Sequence, residues 1–277
     1  MFLESMGGLA ADVAINAAYE NRGAVLQWGK DFYERVKNGK YLIVLFGCGG
    51  TGKSTTGQIL SGNIETHQLT GDYNLSTAME DDGLKGRFFI NVKVPPGQEI
   101  YRKEWSKLFR EIIASKRTPI VINVVCWGMH SPAKSELASI PEFATGITED
   151  NIRQYRENRI QAEIDALQEI VDHTELFNTP ISFLTLVTKQ DLWWPERAAV
   201  KSYYENTQNP YQIAISKMRA TLGTNNFTHQ TWSVSYGHFN HRTVDNHQIF
   251  ATAAGYDDNI QNAHLKKFEK LIDGMCK

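Results

Sequence analysis

The chain has 277 residues, with 29 basic side chains against 31 acidic ones and 42% hydrophobic content. These figures exclude a disordered, fibrous or coiled-coil chain and supply enough apolar side chain for one large α/β domain. A formal net charge of -2 offers polyanions no global attraction, so general nucleic-acid binding is not expected. Three cysteines, Cys48, Cys126 and Cys276, are too few for a disulfide framework or a zinc finger, which fits a soluble protein of the reducing cytoplasm.

Residues 1–38 carry the least pattern. Glu4 and Asp12 interrupt any secretory signal, and the small-residue run 7–18 falls short of the roughly 20 residues of a membrane helix. Trp28, Phe32 and Val36 point to a helical extension that covers the core. Pairing with a second copy and contact with a membrane surface stay open, the latter disfavoured because no basic face accompanies the stripe. From residue 39 onward strand-like and helical patterns alternate. The strand runs are YLIVLF (41–46), FFINVKV (88–94), IVINVV (120–125), ISFLTLV (181–187) and TWSV (231–234). One helical stripe runs through Trp105, Leu108, Phe109, Ile112 and Ile113, a second through Ile160, Ile164, Leu167 and Val171. A third joins Leu265, Phe268, Leu271, Ile272 and Met275. The alternation predicts an α/β domain over 39–277, with a mostly parallel sheet and crossover helices.

Directly after the first strand come Gly47, Cys48, Gly49, Gly50, Thr51, Gly52, Lys53 and Ser54, then Thr55 and a helix start. This fits the phosphate-loop pattern G-x-x-x-x-G-K-[ST], which arises by chance in about one chain per hundred of this length. Phosphate oxygens need several inward backbone N–H groups, and a glycine-rich turn at a helix N-terminus supplies them. Lys53 would reach the terminal phosphates and Ser54 would ligate Mg²⁺. Gly47, Gly49 and Gly52 also fit the dinucleotide fingerprint G-x-G-x-x-G, with Asp72 about 20 residues on, near where a ribose-binding acid sits. That acid should end an apolar strand, yet residues 65–72 (ETHQLTGD) are polar, so the phosphate loop is preferred.

The run ISFLTLV leads into Thr188, Lys189, Gln190, Asp191 and Leu192. Here the chain resembles the Ras-like, translation-factor-related P-loop GTPases, whose guanine motif is [NT]-K-x-D at the end of a late strand. A carboxylate can accept two hydrogen bonds from guanine N1–H and its exocyclic amine, while adenine has no matching donor pair. The resemblance covers about residues 40–276 and implies a three-layer P-loop NTPase fold of small-GTPase-like topology. It also implies GTP or GDP as ligand, Mg²⁺ as cofactor and a protein effector or regulator as partner. In its terms Asp191 recognises the base, Lys189 lies along the purine face and Thr188 braces the loop.

Two further family elements are degraded. Where the family carries D-x-x-G, this chain has Val94, Pro95, Pro96 and Gly97, followed by Gln98. Gly97 would donate its N–H to the terminal phosphate and Gln98 would orient the attacking water; a plain Pro-Pro-Gly turn is the competing description. Val94 cannot accept a bond from a metal-bound water, so the expectation is weak Mg²⁺ dependence and slow hydrolysis. The switch threonine is assigned to Thr70, with Thr66 and Thr77 as competitors. The serine of the last family loop is assigned to Ser235, in Ser233–Gly237. GTP and GDP forms would then differ around residues 64–98.

Other constellations carry less. His238, His241 and His247 lack regular metal spacing and fit an exposed polar loop. Cys48 beside Lys53 admits redox sensing, though chance occupancy of a variable position fits as well. Of Trp193 and Trp194, one is a candidate for partner contact. Two other functions remain in play: a P-loop kinase with an acceptor-binding acid at Asp72, and a nucleotide-binding scaffold without turnover, to which Val94 is suited.

Overall fold

The computed structural model describes Gln27, residues 41–61, 80–81, 92–94, 109–110, 112, 114 and 118–276, apart from 133–135, 178, 239–240 and 244. Apart from Gln27, the predicted N-terminal extension therefore lies outside the described residues, as do Phe88–Asn91, Thr70, Gly97 and Gln98.

The elements in chain order are β1 (Tyr41–Phe46), α1 (Lys53–Ser61), β2 (Glu80–Asp81), β3 (Val92–Val94), β4 (Thr118–Val125) and α2 (Glu149–Asp172). They continue with β5 (Ile181–Val187), α3 (Gln190–Trp193), α4 (Arg197–Glu205), α5 (Pro210–Leu222), β6 (Phe227–Ser233), β7 (His241–Arg242), β8 (Gln248–Phe250) and α6 (Asp258–Met275). Six strands form one sheet in the order β2-β3-β1-β4-β5-β6; β2 runs antiparallel to β3 and the other pairings are parallel. β7 and β8 make a separate antiparallel hairpin.

The central strands are apolar without alternation because both faces of the sheet are covered. All six residues of β1 are buried. Successive side chains point to opposite faces. Leu42, Val44 and Phe46 pack with Phe109, Ile112 and residues of α2, α4 and α5. Ile43 and Leu45 pack with Ile59 and Leu60 of α1 and with Leu265, Phe268 and Ile272 of α6. The chain thus has a three-layer α/β architecture, a mostly parallel sheet with helices on both faces, as the alternation of strand and helix patterns predicted. α2 starts where Thr148 accepts a bond from the Asn151 N–H, with Glu149 and Asp150 in the first turn; Asp257 caps α6 in the same way.

Two expectations need adjustment. β6 begins at Phe227 rather than Thr231 and releases Val234, because an edge strand with a solvated side carries too few apolar residues for its start to stand out. In α2 the buried line is Tyr155, Glu163, Ala166, Leu167 and Ile170, whereas Ile160, Ile164 and Val171 are half-buried. The helix is turned so that a carboxylate, not an isoleucine, faces the interior. The α6 stripe is as expected, with Leu271 and Met275 at its margin. No described helix is long and apolar enough to cross a membrane.

Candidate functional site

The site grows from the C-terminal ends of β1, β4, β5 and β6. In an open α/β sheet, ligands gather at that edge where the chain order reverses, here between β1 and β4. After β1, Gly47 adopts φ +135°, and a Cβ there would lie 2.1 Å from the Val124 carbonyl oxygen. Gly50 has φ +75°, and its Cβ would stand 2.6 Å from the Ser131 carbonyl oxygen. No side chain fits either place without moving backbone, so glycine is required by conformation and by space. Gly49 and Gly52 are half-buried; Thr51 is buried and donates its hydroxyl to the Cys48 carbonyl at 2.9 Å. Lys53 Nζ curls back to the same carbonyl at 2.7 Å. Ser54 and Thr55 occupy the first turn of α1, half-buried. The buried Cys48 thiol donates to the Ala162 carbonyl of α2 at 3.1 Å, which makes it a packing group.

The second motif folds onto the first. Thr188 Oγ1 lies 2.5 Å from the Thr51 carbonyl and 3.1 Å from that of Val125, while the Thr188 N–H donates to Val125 O at 2.8 Å. Lys189 takes a left-handed backbone, φ +57°, which is unfavourable for a residue with a Cβ and persists where surroundings enforce it. Here Lys189 Nζ donates to Gly50 O at 2.5 Å, Met129 O at 2.8 Å and Ser131 Oγ at 2.9 Å. Burial lowers this ammonium to about 8, while Cys126, Asp191 and Glu163 pull in the opposite direction. Trp193 Nε1 donates to Thr188 O at 2.8 Å and fixes the turn from below.

Asp191 is fully buried. Ser235 Oγ lies 2.5 Å from its Oδ1 and 2.7 Å from Gly237 O, a side-chain contact between two residues that the sequence assigned to separate motifs. The sequence did not foretell what holds the other oxygen. Thr252 Oγ1 donates to Asp191 Oδ2 at 3.2 Å, and the Ala253 N–H donates to the Asp191 carbonyl at 2.8 Å. Both belong to the stretch between β8 and α6. Tyr236 OH sits 3.1 Å from Thr56 Oγ1, linking the serine loop to α1.

A further loop, 126–131, closes the site from the end of β4. The Ser131 N–H donates to Gly50 O at 3.0 Å. Trp127 and Gly128 both have positive φ, and a Cβ at Gly128 would lie 2.4 Å from Arg156 O. Its place after a buried strand was the available signal; nothing in its composition marks it. Of the remaining assignments, Val94 ends β3 opposite Glu80. His238 and His247 are exposed as expected, but His241 is buried against Phe250, because the β7–β8 hairpin folds it inward. Trp193 is buried, whereas Trp194 is half-exposed beneath Arg197, 4.8 Å from its ring centroid. A cavity of about 400 Å³ lies between α3–α4 and β6, lined by Trp194, Trp232 and His264, with no phosphate-loop residue in its wall.

Chemically, the site offers a glycine cradle, two lysines and a buried carboxylate flanked by hydroxyls. Ser54 provides one hydroxyl oxygen, which suits a hard cation completing its shell from phosphate oxygens and water. No protein-family model matches the chain, and no curated protein sequence does. Among solved structures, the chain is similar to a nucleolar GTP-binding protein 1 from Plasmodium falciparum at 11% identity and a TM-score of 0.29, covering 86% of this chain and 93% of that one.

Proposed function

We propose that residues 39–277 form a guanine-nucleotide-binding domain that takes GTP or GDP with Mg²⁺, hydrolyses GTP slowly and acts as a molecular switch read by a protein partner. One observation carries this reading: residues 188–191 are bonded to the phosphate loop through Thr188–Thr51 and Lys189–Gly50, with Ser235 against Asp191. Two sequence motifs 137 residues apart at Thr188 and Thr51 are thereby in direct contact.

In this reading the amides of Gly49, Gly50, Thr51, Gly52 and Thr55 and the Lys53 ammonium hold the phosphates. Lys53 then leaves the Cys48 carbonyl it now engages. Ser54 holds Mg²⁺, with Thr70 as the second metal-binding hydroxyl. Gly97 contacts the terminal phosphate and Gln98 orients water. Thr188, Lys189, Asp191 and Ser235 form the base site. Guanine engages both Asp191 oxygens, each of which can accept more than one bond, and the longer of the two hydroxyl contacts, Thr252 to Oδ2 at 3.2 Å, is the one that yields as the base enters. That exchange keeps the carboxylate hydrogen-bonded in both states, which avoids a bare buried charge. Val94 at the end of β3 supports slow turnover, and in the limit a scaffold that binds without hydrolysing.

The test is titration of fluorescent GTP, GDP and ATP into the full chain and into Asp191→Ala. Guanine preference in the wild type that disappears in the variant supports the reading; equal affinity for ATP and GTP in the wild type removes it. Product analysis then separates hydrolysis from binding alone.

A further inference from the structure

Glu163 sits in the middle of α2, outside every motif, and only 2% exposed. A carboxylate there is tolerable only when its oxygens are satisfied. Oε1 accepts from the Cys126 N–H at 2.8 Å, from His130 Nε2 at 3.0 Å and, more weakly, from the Gly128 N–H at 3.4 Å. Oε2 accepts from Tyr204 OH at 2.8 Å. Three of these four donors lie in the loop after β4. The same loop supplies Met129 O and Ser131 Oγ to Lys189 Nζ, and its Ser131 N–H goes to Gly50 O. Tyr155, two turns before Glu163 in α2, donates its hydroxyl to His130 O at 3.2 Å and pins the loop a second time.

We infer that Glu163 is a positioning residue for the pocket: its carboxylate sets the 126–131 loop, which in turn holds the phosphate loop at Gly50 and the base motif at Lys189. The pocket's role as a nucleotide site rests on the function proposed above; the geometric claim does not. Loop 126–131 bonds to both motifs from outside them, at Gly50 and at Lys189, so its anchor bears directly on their relative placement. The left-handed backbone at Trp127 and Gly128 makes the loop unfavourable without such an anchor. Burial keeps His130 below its ordinary range, so the neutral ring donates its Nε2–H to the carboxylate.

Cys126, His130 and Glu163 also present three ligand atoms within 4.8 Å of one another, a set that a divalent cation could use. The hydrogen-bonded account is favoured because Oε1 is already directed at N–H groups, and the Lys189 ammonium acts on both Cys126 and His130.

The experiment combines hydrogen exchange on the free full chain with binding of fluorescent GDP. Glu163→Gln keeps the size but cannot accept all four donors. Exchange at the Gly128 and Ser131 amides is expected to rise about tenfold, with α6 amides unchanged, and GDP affinity to fall by a similar factor. Combined with Ser131→Ala, the affinity losses will be less than additive, because both act through the Lys189 seat; a merely structural loss would add. Tyr204→Phe, which removes only the Oε2 donor, is expected to move the same amides by about threefold and covers the case in which Glu163→Gln does not fold. Unchanged exchange at Ser131 in whichever variants fold overturns the inference, as does stoichiometric zinc in the purified protein that is lost on Cys126→Ala. A wild type that binds no GDP removes the nucleotide reading alone, since the exchange data still decide the positioning.

Discussion

In the proposed nucleotide site the two ends are built from different materials. At the phosphate end, Gly47 and Gly50 lie against the backbone oxygens of Val124 and Ser131, and the contacts that shape the loop end on carbonyl groups. At the base end, Asp191 is held by two hydroxyls, Ser235 and Thr252, that come from separate loops. Backbone packed on backbone has no rotamer to change, whereas a hydroxyl can turn away and be replaced by another donor. On the proposed reading the first end is therefore a preformed cradle, and the second a closed one that the base would have to open.

The strongest way to break this contrast is at Gly47. Gly47→Ala sets a methyl 2.1 Å from Val124 O at a φ of +135° and is expected to lower stability by about 3 kcal/mol or more, measured by denaturant unfolding. A loss near that of an ordinary surface substitution would show that the cradle is not preformed.

A pH titration sharpens the contrast next, because Lys189 spans both ends. Its folded pKa, about 8, lies below the usual 10.5, so between those values the unfolded chain holds more protons than the folded one. Stability attributable to this group therefore increases with pH through that interval. The clean window is pH 8 to 9, before the Cys126 thiol, which burial raises above its usual value, begins to act in the opposite sense. Over the same window nucleotide affinity is expected to fall, since the deprotonated amine loses a donor and its charge. Stability and affinity moving together would place the cation elsewhere than on the cradle.

The smallest expected effect is at Thr252. Thr252→Val keeps the shape but removes the donor to Asp191 Oδ2, for a stability change of about 1 kcal/mol, and fluorescent GDP should associate faster because the base end is less tightly closed. Slower association would mean that Thr252 assists the base rather than yielding to it.

What was legible in the sequence follows the same division. The cradle could be read because its demands are local: a tight turn requires glycines at fixed spacing, and they stand together in 47–52. The strands β1 and β5 could be read because burial on both faces leaves an unbroken apolar run. Asp191 and Ser235 were singled out by the family motifs at their places after β5 and β6, and the fold brings the two side chains together. Thr252 was not, since it stands 61 residues from its partner in a polar stretch with no periodicity. Glu163 was hidden for another reason. Between Ile160 and Ile164 it has the look of a solvated helix position, and only the apposition of α2 with loop 126–131 shows that it faces inward. His241 misled in the same way, being polar in sequence but enclosed once the hairpin forms. Tertiary contact, not local preference, decides each of these.

The most direct test of the central claim is calorimetric titration of GDP and ADP into the wild-type chain and Asp191→Ala at constant Mg²⁺. We expect GDP to bind the wild type at least a hundredfold more tightly than ADP, and the variant to lose most of that margin while keeping its fold. Equal binding of the two nucleotides by the wild type, or a margin untouched in Asp191→Ala, would contradict the account.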